Sequence, residues 1–568
     1  MALCLPKIWL IKLFKDKNNI SKKIIYLFFS VFFLIGIFTF KDYGLTGDEI
    51  FERQTGFYWL NYILSFTSFD DLKNVVAIKV EQNIFYQQLK GLTLPRTEDV
   101  PFYGVIFSLP AAFLEIIFKI DDSKKYYYLY HFLNFGLFFI ASIFFYKLLL
   151  NRFSNINIAL VGTLFYVLSP RIYASSFFNN KDLVFLSLTT IALYYCFKSL
   201  EKINYKNLLI FSIFAAMCTS SRVAGVMLPV SFVTFYLLSL LSNNKNLNNL
   251  LSMIFFCVFY FIFLILFWPA LWSSPVENLI LTFKWFSSHT PQARMLFDGK
   301  YVYTNFLPYN YIFTWIFITT PILYIILFII GYFIILQRFF LRFISVKEKN
   351  YYPDLWRGVN EKKDLFIFFN LTSFILGLIT FNIILYTGWR QIYFLNIFIV
   401  YIATYGFYYL GIKIKSKFNK RIQYSIVGIF LIFIFHKMII YHPYQNLYFN
   451  SIFKKDVHNK FDVDYWGLSA KKFLNDILIL EKNKYPIKIG VASFLPLERS
   501  LKILSKEDRE KIIIVGQEYQ NADYIYTAFI SEVDINGNDK YKIPSNFTKI
   551  DEFILDGIRV YEVFKKTN

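Results

Sequence analysis

The stretch LLSMIFFCVFYFIFLILFWPALW, residues 250–272, decides the fold of this chain. It carries no charged residue, and roughly 20 apolar residues are enough to cross the hydrocarbon core of a bilayer as a helix. Comparable apolar blocks occur at 24–40, 311–336 and 365–386. Backbone polar groups in lipid must be bonded within their own element, and these blocks lack the alternation of barrel strands. We therefore expect a helical protein that crosses a membrane many times.

The composition supports this interpretation. Of 568 residues, 56% are hydrophobic, 21% are aromatic and only 17% are charged, which is too little charge to cover the surface of a soluble protein of this size. The net charge of +21 does not indicate a nucleic-acid partner, because the basic residues cluster in short loops between apolar blocks. None of the four cysteines lies in the polar C-terminal part, so we expect neither a disulfide framework nor a thiolate metal site.

About eleven transmembrane helices are predicted. The lysine-rich residues 1–23 precede the first apolar block, and no small-residue cleavage site follows it, so we expect an uncleaved signal anchor with a cytoplasmic N-terminus. Residues 24–441 then form the transmembrane domain, and we expect a multi-pass protein of the cell inner membrane. The predicted spans are 24–40, 126–148, 156–173, 183–198, 207–221, 223–241, 250–272, 311–336, 364–386, 391–411 and 422–440.

Loop charge decides whether a further apolar stretch, 101–118, also crosses. If it does not cross, the basic loops 198–206, 337–363 and 412–421 all lie in the cytoplasm, as the positive-inside rule requires. If it crosses, they all face outward. Pro101 also suits an interrupted segment better than a regular span. We therefore predict that 41–125 is one long periplasmic loop with surface helices.

Residues 442–568 are predicted to form a small extracytoplasmic α/β domain. A helical pattern follows Ser469, and short strand-like runs occur at 487–492, 512–515 and 524–528. The dipeptide Asp556-Gly557 lies between two apolar runs and predicts a β-hairpin. The expected fold class is thus an all-α polytopic membrane protein with a small α/β domain at its C-terminus.

The first loop contains an acidic pair in GLTGDEIFERQTG, residues 44–56. Asp48 and Glu49 lie within about ten residues of the predicted membrane edge, where ionisable groups are costly and often functional. A catalytic role is one interpretation of this pair. A solvated pair in an ordinary loop is the other.

Four cations are predicted to surround the same outer face. Arg171 and Lys181 lie in SPRIYASSFFNNKD, residues 169–182, which ends with Asp182. Arg222 lies at the turn between two apolar segments, and Arg390 lies in another short turn. Basic residues are ordinary at a membrane interface, and this is the simpler interpretation. The alternative is a binding site for an anion at the depth of the lipid headgroups.

A lipid-linked phosphate would lie at that depth. The cations would stabilise the charge that develops on a departing phosphate, and a carboxylate would take the proton of an acceptor hydroxyl. This is the logic of an inverting glycosidase with an alcohol in place of water. The pattern therefore favours sugar transfer from a lipid-linked phosphate, with Asp48 as general base, Glu49 in support, and Arg171, Lys181, Arg222 and Arg390 on the phosphate.

The acidic pair also resembles the first outer loop of GT-C-fold glycosyltransferases. More narrowly, the chain resembles the glycosyltransferase family 39-like group that contains protein O-mannosyltransferases and the lipid A aminoarabinose transferase. Further stretches that resemble a bacterial subgroup extend the similarity over about residues 44 to 470. They are SPRIYASSFFNNKD (169–182), TSSRVAG (219–225), FWPALWSSP (267–275), LPYNYIFTW (307–315), YTGWRQIYF (386–394), HPYQNLYFN (442–450) and DYWGLS (464–469).

The resemblance implies a polyprenyl-phosphate sugar donor, inversion at the sugar carbon and surface helices in the first outer loop. Asp48 matches the family's catalytic carboxylate and Glu49 its neighbour, while Lys181 and Asp182 match a basic–acidic element of the second outer loop. Donors of this type usually need no metal, so no cofactor is expected. A divalent ion stays an alternative, with Asp48, Glu49, Asp182 and His289 as ligands.

Three other functions stay open at this point. A transporter or flippase of lipid-linked sugars would show internal symmetry and charges deep in the membrane, and the sequence shows neither. An oligosaccharide ligase or polymerase would differ in the length of its product, and a receptor or structural protein would need no buried cations. The sugar, the role of the C-terminal domain and the acceptor, whether protein, lipid or glycan, are left undetermined.

Overall fold

The computed structural model describes residues 19–81, 104–242, 247–288, 294–344, 356–386, 388–414, 416–453, 456–482, 485–495, 497–530 and 539–567. Residues 1–18 of the predicted cytoplasmic N-terminus lie outside this set. So do Pro101, His289 and residues 345–355 of the basic loop.

Helices dominate the chain up to residue 441. A short antiparallel hairpin, β1 (Arg294–Phe297) and β2 (Lys300–Tyr303), interrupts them and was not predicted. The described helices are α1 (Asn19–Thr39), α2 (Gly47–Ser65), α3 (Asp70–Glu81), α4 (Ser108–Ile117), α5 (Ser123–Phe153), α6 (Ile156–Val167), α7 (Pro170–Phe178), α8 (Asp182–Glu201), α9 (Tyr205–Ser221), α10 (Met227–Ser242), α11 (Leu247–Phe267), α12 (Pro275–Ser288), α13 (Tyr311–Thr319), α14 (Ile322–Ile344), α15 (Val359–Thr380), α16 (Leu395–Lys413) and α17 (Lys417–Ile440). Short 3-10 turns lie at Val223–Val226, Pro269–Leu271 and Arg390–Ile392.

The polytopic helical class is confirmed. Within the described residues, nine helices are long and apolar enough to cross a membrane, or ten if a bent pair counts as one span. The bent pair is α6 and α7, which meet at 63° in the predicted span 156–173. The one predicted span that remains, 207–221, forms α9, which has 17 residues and is slightly shorter than a typical span. The difference from eleven therefore comes from a bent helix and a short one.

Prolines explain the two broken segments. Pro170 occupies the first turn of α7, where its missing N–H is harmless, but it cannot continue α6. Pro321 likewise separates α13 from α14 inside the predicted span 311–336. The break before Pro170 tilts α7, and the residues that follow α7, up to Asp182, lead into the start of α8.

The stretch 101–118 does not form a span in its described part. It forms α4, which has only ten residues and packs against α2. The two helices are in close contact at Gly56, where a Cβ would lie only 2.3 Å from the backbone oxygen of Ser108. Arg53 then binds Glu115 through two hydrogen bonds of 2.8 and 2.6 Å. The described part of the stretch is thus a short helix packed on α2, and its placement on the membrane surface stays a prediction.

Helices α8 and α16 occupy the centre of the bundle. In their most apolar 18 residues, 83% and 72% of positions are buried, against 22% in α1, α11, α14 and α17. The peripheral helices therefore present most of their apolar surface outward, as expected of helices that face lipid.

The last turn of α5 contacts the first turns of α15. Near the end of α5, Arg152 binds Asp364 at 2.5 Å, and Lys363 binds Asn151 at 2.7 Å. The other end of α5 begins at Ser123, which bonds to the C-terminal region through the carbonyl of Lys502. Since α5 has 31 residues, these two ends are separated by the length of a span.

The C-terminal region contains a five-stranded mixed sheet. Its strands are β3 (Ile487–Val491), β4 (Ile512–Gly516), β5 (Tyr524–Thr527), β6 (Phe547–Leu555) and β7 (Ile558–Lys566). They lie in the order β4-β3-β5-β7-β6. The helices of the region are α18 (Val457–Lys460), α19 (Ala470–Leu480), α20 (Leu497–Ser500) and α21 (Lys506–Glu510), and 3-10 turns lie at Gln445–Leu447, Leu501–Ile503, Tyr519–Asn521 and Asp539–Tyr541.

The predicted hairpin at Asp556-Gly557 is confirmed. Leu555 pairs with Ile558, and both turn residues have positive φ angles of 51° and 82°. Two positive φ angles are what a two-residue hairpin loop requires, which is why Asp-Gly suits this position. The three predicted strands and the helix after Ser469 are also present.

Candidate active site

The start of α2 sets the position of the acidic pair. Thr46 caps the helix: its Oγ1 accepts a hydrogen bond of 3.3 Å from the N–H of Glu49, and its own N–H donates to Glu49 Oε2 at 2.9 Å. This reciprocal capping box holds the Glu49 side chain at the N-terminus of α2. Asp48 has no part in the cap, and 42% of its side chain is exposed. The two adjacent carboxylates therefore lie in different environments.

Glu49 is fully buried and faces the bundle. Its Oε1 lies 2.7 Å from Nε2 of His131, whose other ring nitrogen lies 3.1 Å from the carbonyl of Phe40. Burial raises the pKa of Glu49, although His131 and Thr46 partly oppose this. These contacts join α2 to α5, so Glu49 holds the helix that carries Asp48.

Asp48 faces Arg390, whose Nη1 donates to Asp48 Oδ2 at 2.5 Å. The Arg390 guanidinium also stacks near Trp466, 4.5 Å from its ring centre, which limits its freedom to move. Burial raises the pKa of Asp48, but the positive charges of Arg390, Lys181 and Arg222 outweigh it. The pKa of Asp48 therefore lies below its ordinary value, and the group is ionised.

Two further ion pairs lie beside this one. Lys181 binds Glu52 at 2.8 Å, and Arg222 binds Asp182. Glu52 follows Asp48 by one helical turn, so both carboxylates lie on the same face of α2. Lys181 and Arg222 act electrostatically on both of them. Six residues thus form one ion cluster: Asp48, Glu52, Lys181, Asp182, Arg222 and Arg390.

The loop before α8 positions two members of the ion cluster. Asn179 donates to Asp182 Oδ2 at 3.0 Å, and its own Oδ1 accepts from the N–H of Asp182 at 2.8 Å. This local bonding fixes the start of α8, and with it both Lys181 and Asp182. Every cation of the ion cluster faces a carboxylate, so an anionic ligand must compete with that carboxylate for the cation; the exchange costs least at Asp48, whose side chain is the most exposed of the three.

Arg171 does not join the ion cluster. It is 2% exposed, donates from Nε to the carbonyl of Tyr448 at 2.9 Å, and stacks on Phe449 and Trp315. Its contacts are with the segment after α17 and with α13, rather than with Asp48. The structure thus brings together Asp48, Lys181, Asp182, Arg222 and Arg390 and leaves Arg171 apart.

A cavity of about 210 Å³ opens next to Asp48. Gly47, Asp48 and Arg390 line one side. The C-terminal region supplies the other, including Tyr465, Trp466, Gly467, Leu497, Arg499, Ser500 and Tyr526. The C-terminal region therefore forms a wall of the cavity, and Asp48 has room beside it for a small polar group.

Sequence reasoning missed several of these residues. Glu52 could have been found, since it follows Asp48 by four residues in a segment predicted to contain a surface helix. Trp466 lies in the DYWGLS stretch, which was noted only for its resemblance. Arg499 carries no local signal, because its place at the cavity depends on how the C-terminal region folds against the first loop.

The candidate metal ligands do not converge. Within the described residues, no group of three or more His, Cys, Asp or Glu could hold a metal ion. Glu49 faces His131, Asp182 faces Arg222, and His289 lies outside the described residues. The geometry that is described favours a site built from ion pairs.

The architecture defines the class of protein as a multi-pass helical membrane protein with an ion cluster at one end of its bundle. Residues 108–272 match the family model described as dolichyl-phosphate-mannose-protein mannosyltransferase. The match is consistent with the GT-C glycosyltransferase group and supports a membrane glycosyltransferase of the GT-C type. It covers Lys181, Asp182 and Arg222, less than a third of the chain in all. No match is found among curated proteins.

Proposed function

We propose that this protein transfers a sugar from a polyprenyl-phosphate donor to an acceptor hydroxyl at the periplasmic face of the cell inner membrane, with inversion at the sugar carbon. Asp48 is the general base. Arg390, Lys181 and Arg222 bind the donor phosphate. Arg171 contacts Tyr448, Phe449 and Trp315 rather than the ion cluster and is left out of this assignment.

One observation carries this proposal. An ionised, half-exposed carboxylate lies beside a cavity and within electrostatic range of three cations from distant parts of the chain. A general base must reach the proton that it removes, and a leaving phosphate must be met by fixed positive charge. The base is Asp48 itself, and the positive charge comes from Arg390 in contact with it and from Lys181 and Arg222 in electrostatic range.

Exchange of partners would couple donor binding to catalysis. While Arg390 binds Asp48, its positive charge lowers the carboxyl pKa and makes Asp48 a weak base. A donor phosphate that draws Arg390 toward itself takes part of that charge away. The pKa of Asp48 then rises, and the group becomes a better base only when donor is present.

The transfer step forms one bond at the anomeric carbon and breaks another. The acceptor oxygen forms a bond to the anomeric carbon while its proton moves to Asp48. The bond between that carbon and the phosphate oxygen breaks, and the polyprenyl phosphate leaves with the electron pair. The acceptor and the phosphate lie on opposite faces of the sugar, which gives inversion.

Replacement of the base tests the proposal. Asp48→Asn keeps the size of the side chain but cannot take a proton, so release of carrier should fall by about a hundredfold or more. The measurement follows undecaprenyl phosphate released from a panel of undecaprenyl-phosphate sugars in membranes that contain the full chain. Asp70→Asn, an exposed carboxylate of the same loop, is the matched control.

Wild-type release in a folded Asp48→Asn protein would contradict the proposed role of Asp48. Folding is checked by the melting temperature, which should differ little from wild type because Asn keeps a hydrogen bond to Arg390. Absence of release from every donor of the panel by the wild-type protein would contradict the proposed function as a whole.

A further inference from the structure

A second group of cations lies in the C-terminal region, beside the cavity and close to the start of α2. Arg499 lines the cavity, and its Nη1 would be 2.6 Å from a Cβ built on Gly47, the residue before Asp48. The guanidinium therefore packs directly against the backbone that carries the proposed base. Lys502 and Arg509 follow it on the same surface of the C-terminal region, and these three residues are called the basic rim below.

Contacts with the start of α5 hold the basic rim in place. Ser123 donates to the carbonyl of Lys502 at 2.7 Å and accepts from Arg509 Nη2 at 2.6 Å. Arg53 of α2 stacks 3.7 Å above the ring of Tyr126, one turn further along α5. Four cations thus meet where the first loop, α5 and the C-terminal region join.

The basic rim differs from the ion cluster in its charge balance. Arg53 is neutralised by Glu115, but in the described part of the chain Arg499, Lys502 and Arg509 form no ion pair with a carboxylate. The buried Nε of Arg509 has no hydrogen-bond partner there either. Burial lowers the pKa of Lys502, and the charges of Arg53, Arg509 and Arg499 lower it further. Like charges held this close without counter-ions favour binding of an anion.

The position of the basic rim indicates which substrate carries that anion. Inversion requires the acceptor and the donor phosphate to approach the sugar carbon from opposite faces. Arg390 and Arg499 both line the cavity, but Arg390 belongs to the ion cluster with Lys181 and Arg222, whereas Arg499 belongs to the wall that the C-terminal region supplies. The donor phosphate is therefore assigned to Arg390, Lys181 and Arg222, and the acceptor to the side of Arg499.

We propose that the basic rim recognises an anionic acceptor, one with a phosphoryl or carboxylate group close to its reacting hydroxyl. This inference rests on the proposed function, since it takes Asp48 as the base that the acceptor hydroxyl approaches. It gives the C-terminal region the role of selecting acceptors.

Binding of a soluble probe by the full chain in detergent tests this inference. We expect glucose 6-phosphate to bind more tightly than glucose. The double variant Arg499→Gln/Lys502→Gln should lower the affinity for glucose 6-phosphate by about tenfold or more. Affinity for undecaprenyl phosphate should be unchanged. Lys482→Gln/Lys542→Gln removes the same charge from exposed positions of the same region and should bind both probes as wild type does.

The inference would be overturned if Arg499→Gln/Lys502→Gln bound glucose 6-phosphate as tightly as wild type does. It would also be overturned if that variant lost binding of undecaprenyl phosphate, because the basic rim would then belong to the donor site. Without a probe, the variant should melt no lower than wild type, because it relieves repulsion between like charges. Asp48→Asn should still bind glucose 6-phosphate while losing carrier release. If the wild-type protein released no carrier from any donor, the proposed function would be contradicted, and the binding of glucose 6-phosphate would still test the basic rim separately.

Discussion

Asp48 and Glu49 are neighbours in sequence, but a helix turns by about 100° per residue and separates their side chains. Glu49 points at His131 and completes the cap of α2, whereas Asp48 points at the cavity and Arg390. The acidic pair was predicted as a unit. Its division into one buried positioning group and one accessible carboxylate follows from where Thr46 begins the helix.

Asp462 is a second carboxylate in an unusual environment, and it predicts a pH-dependent stability. Burial raises its pKa to about 7, although a hydrogen bond from the N–H of Leu296 opposes this. A folded-state pKa above the unfolded value means stability that is present in acid and lost as pH rises toward 7. At about 1.4 kcal/mol per pKa unit, the loss between about pH 4 and pH 7 is at most about 4.5 kcal/mol.

The melting temperature of wild type should therefore fall between pH 5 and pH 8. In the Asp462→Asn variant, most of this fall should be absent. Thermal unfolding in detergent at a series of pH values is the measurement. Asp551→Asn, at an exposed position of β6, serves as the control and should keep the wild-type pH profile. A variant profile parallel to wild type would show that Asp462 does not titrate in this range.

Among the elements, α14 and α16 show how the bundle is packed. A Cβ on Gly331 would lie 2.2 Å from the carbonyl oxygen of Ile402, and one on Gly406 would lie 2.1 Å from that of Leu327. Each glycine thus lets the backbone of the other helix come into contact. Small residues at such crossings are typical of helices that associate inside a membrane, where apolar side chains gain little from leaving lipid.

Gly331→Ala should consequently destabilise the protein by about 1–3 kcal/mol, because the added methyl group must push two backbones apart. Gly428→Ala is the matched control: it lies in α17, and a Cβ there would meet nothing within 4 Å. Melting temperatures of the two variants in one detergent provide the comparison. The close crossing would be refuted if Gly331→Ala melted at or above Gly428→Ala.

At the scale of the whole molecule, the C-terminal region and the first loop form one unit around the cavity. Lys471 of α19 donates to the backbone oxygens of Lys41, Asp42 and Tyr43, directly after α1. The region that follows α17 must therefore lie on the same side of the membrane as Asp48. The charge bias of the loops at the other end predicts that this side is periplasmic.

Cysteine labelling checks that orientation. In a chain whose Cys4 and Cys257 are replaced by serine, Lys482→Cys should react with a membrane-impermeant maleimide in intact spheroplasts. Lys420→Cys, exposed at the other end, should react only after permeabilisation. The reverse pattern would place the cavity in the cytoplasm and remove the periplasmic part of the proposed function.

Much of the fold could be predicted because its signals are local. A run of apolar residues, a lysine-rich loop, a proline at a break or an Asp-Gly turn acts on its own neighbourhood. This was sufficient for the polytopic class and for the strands of the C-terminal region. It also made Asp48 a candidate, since that residue lies next to the first predicted membrane edge.

The partners of Asp48 could be established only by the folded chain. Arg390 is 342 residues away, and the cavity wall comes from a region whose role could not be predicted. Arg171 and Arg390 look alike in sequence, as basic residues in short turns, but packing buries one among aromatic rings and brings the other to the carboxylate. Side-chain direction and long-range contact decide which charges meet, and neither is a property of a single segment.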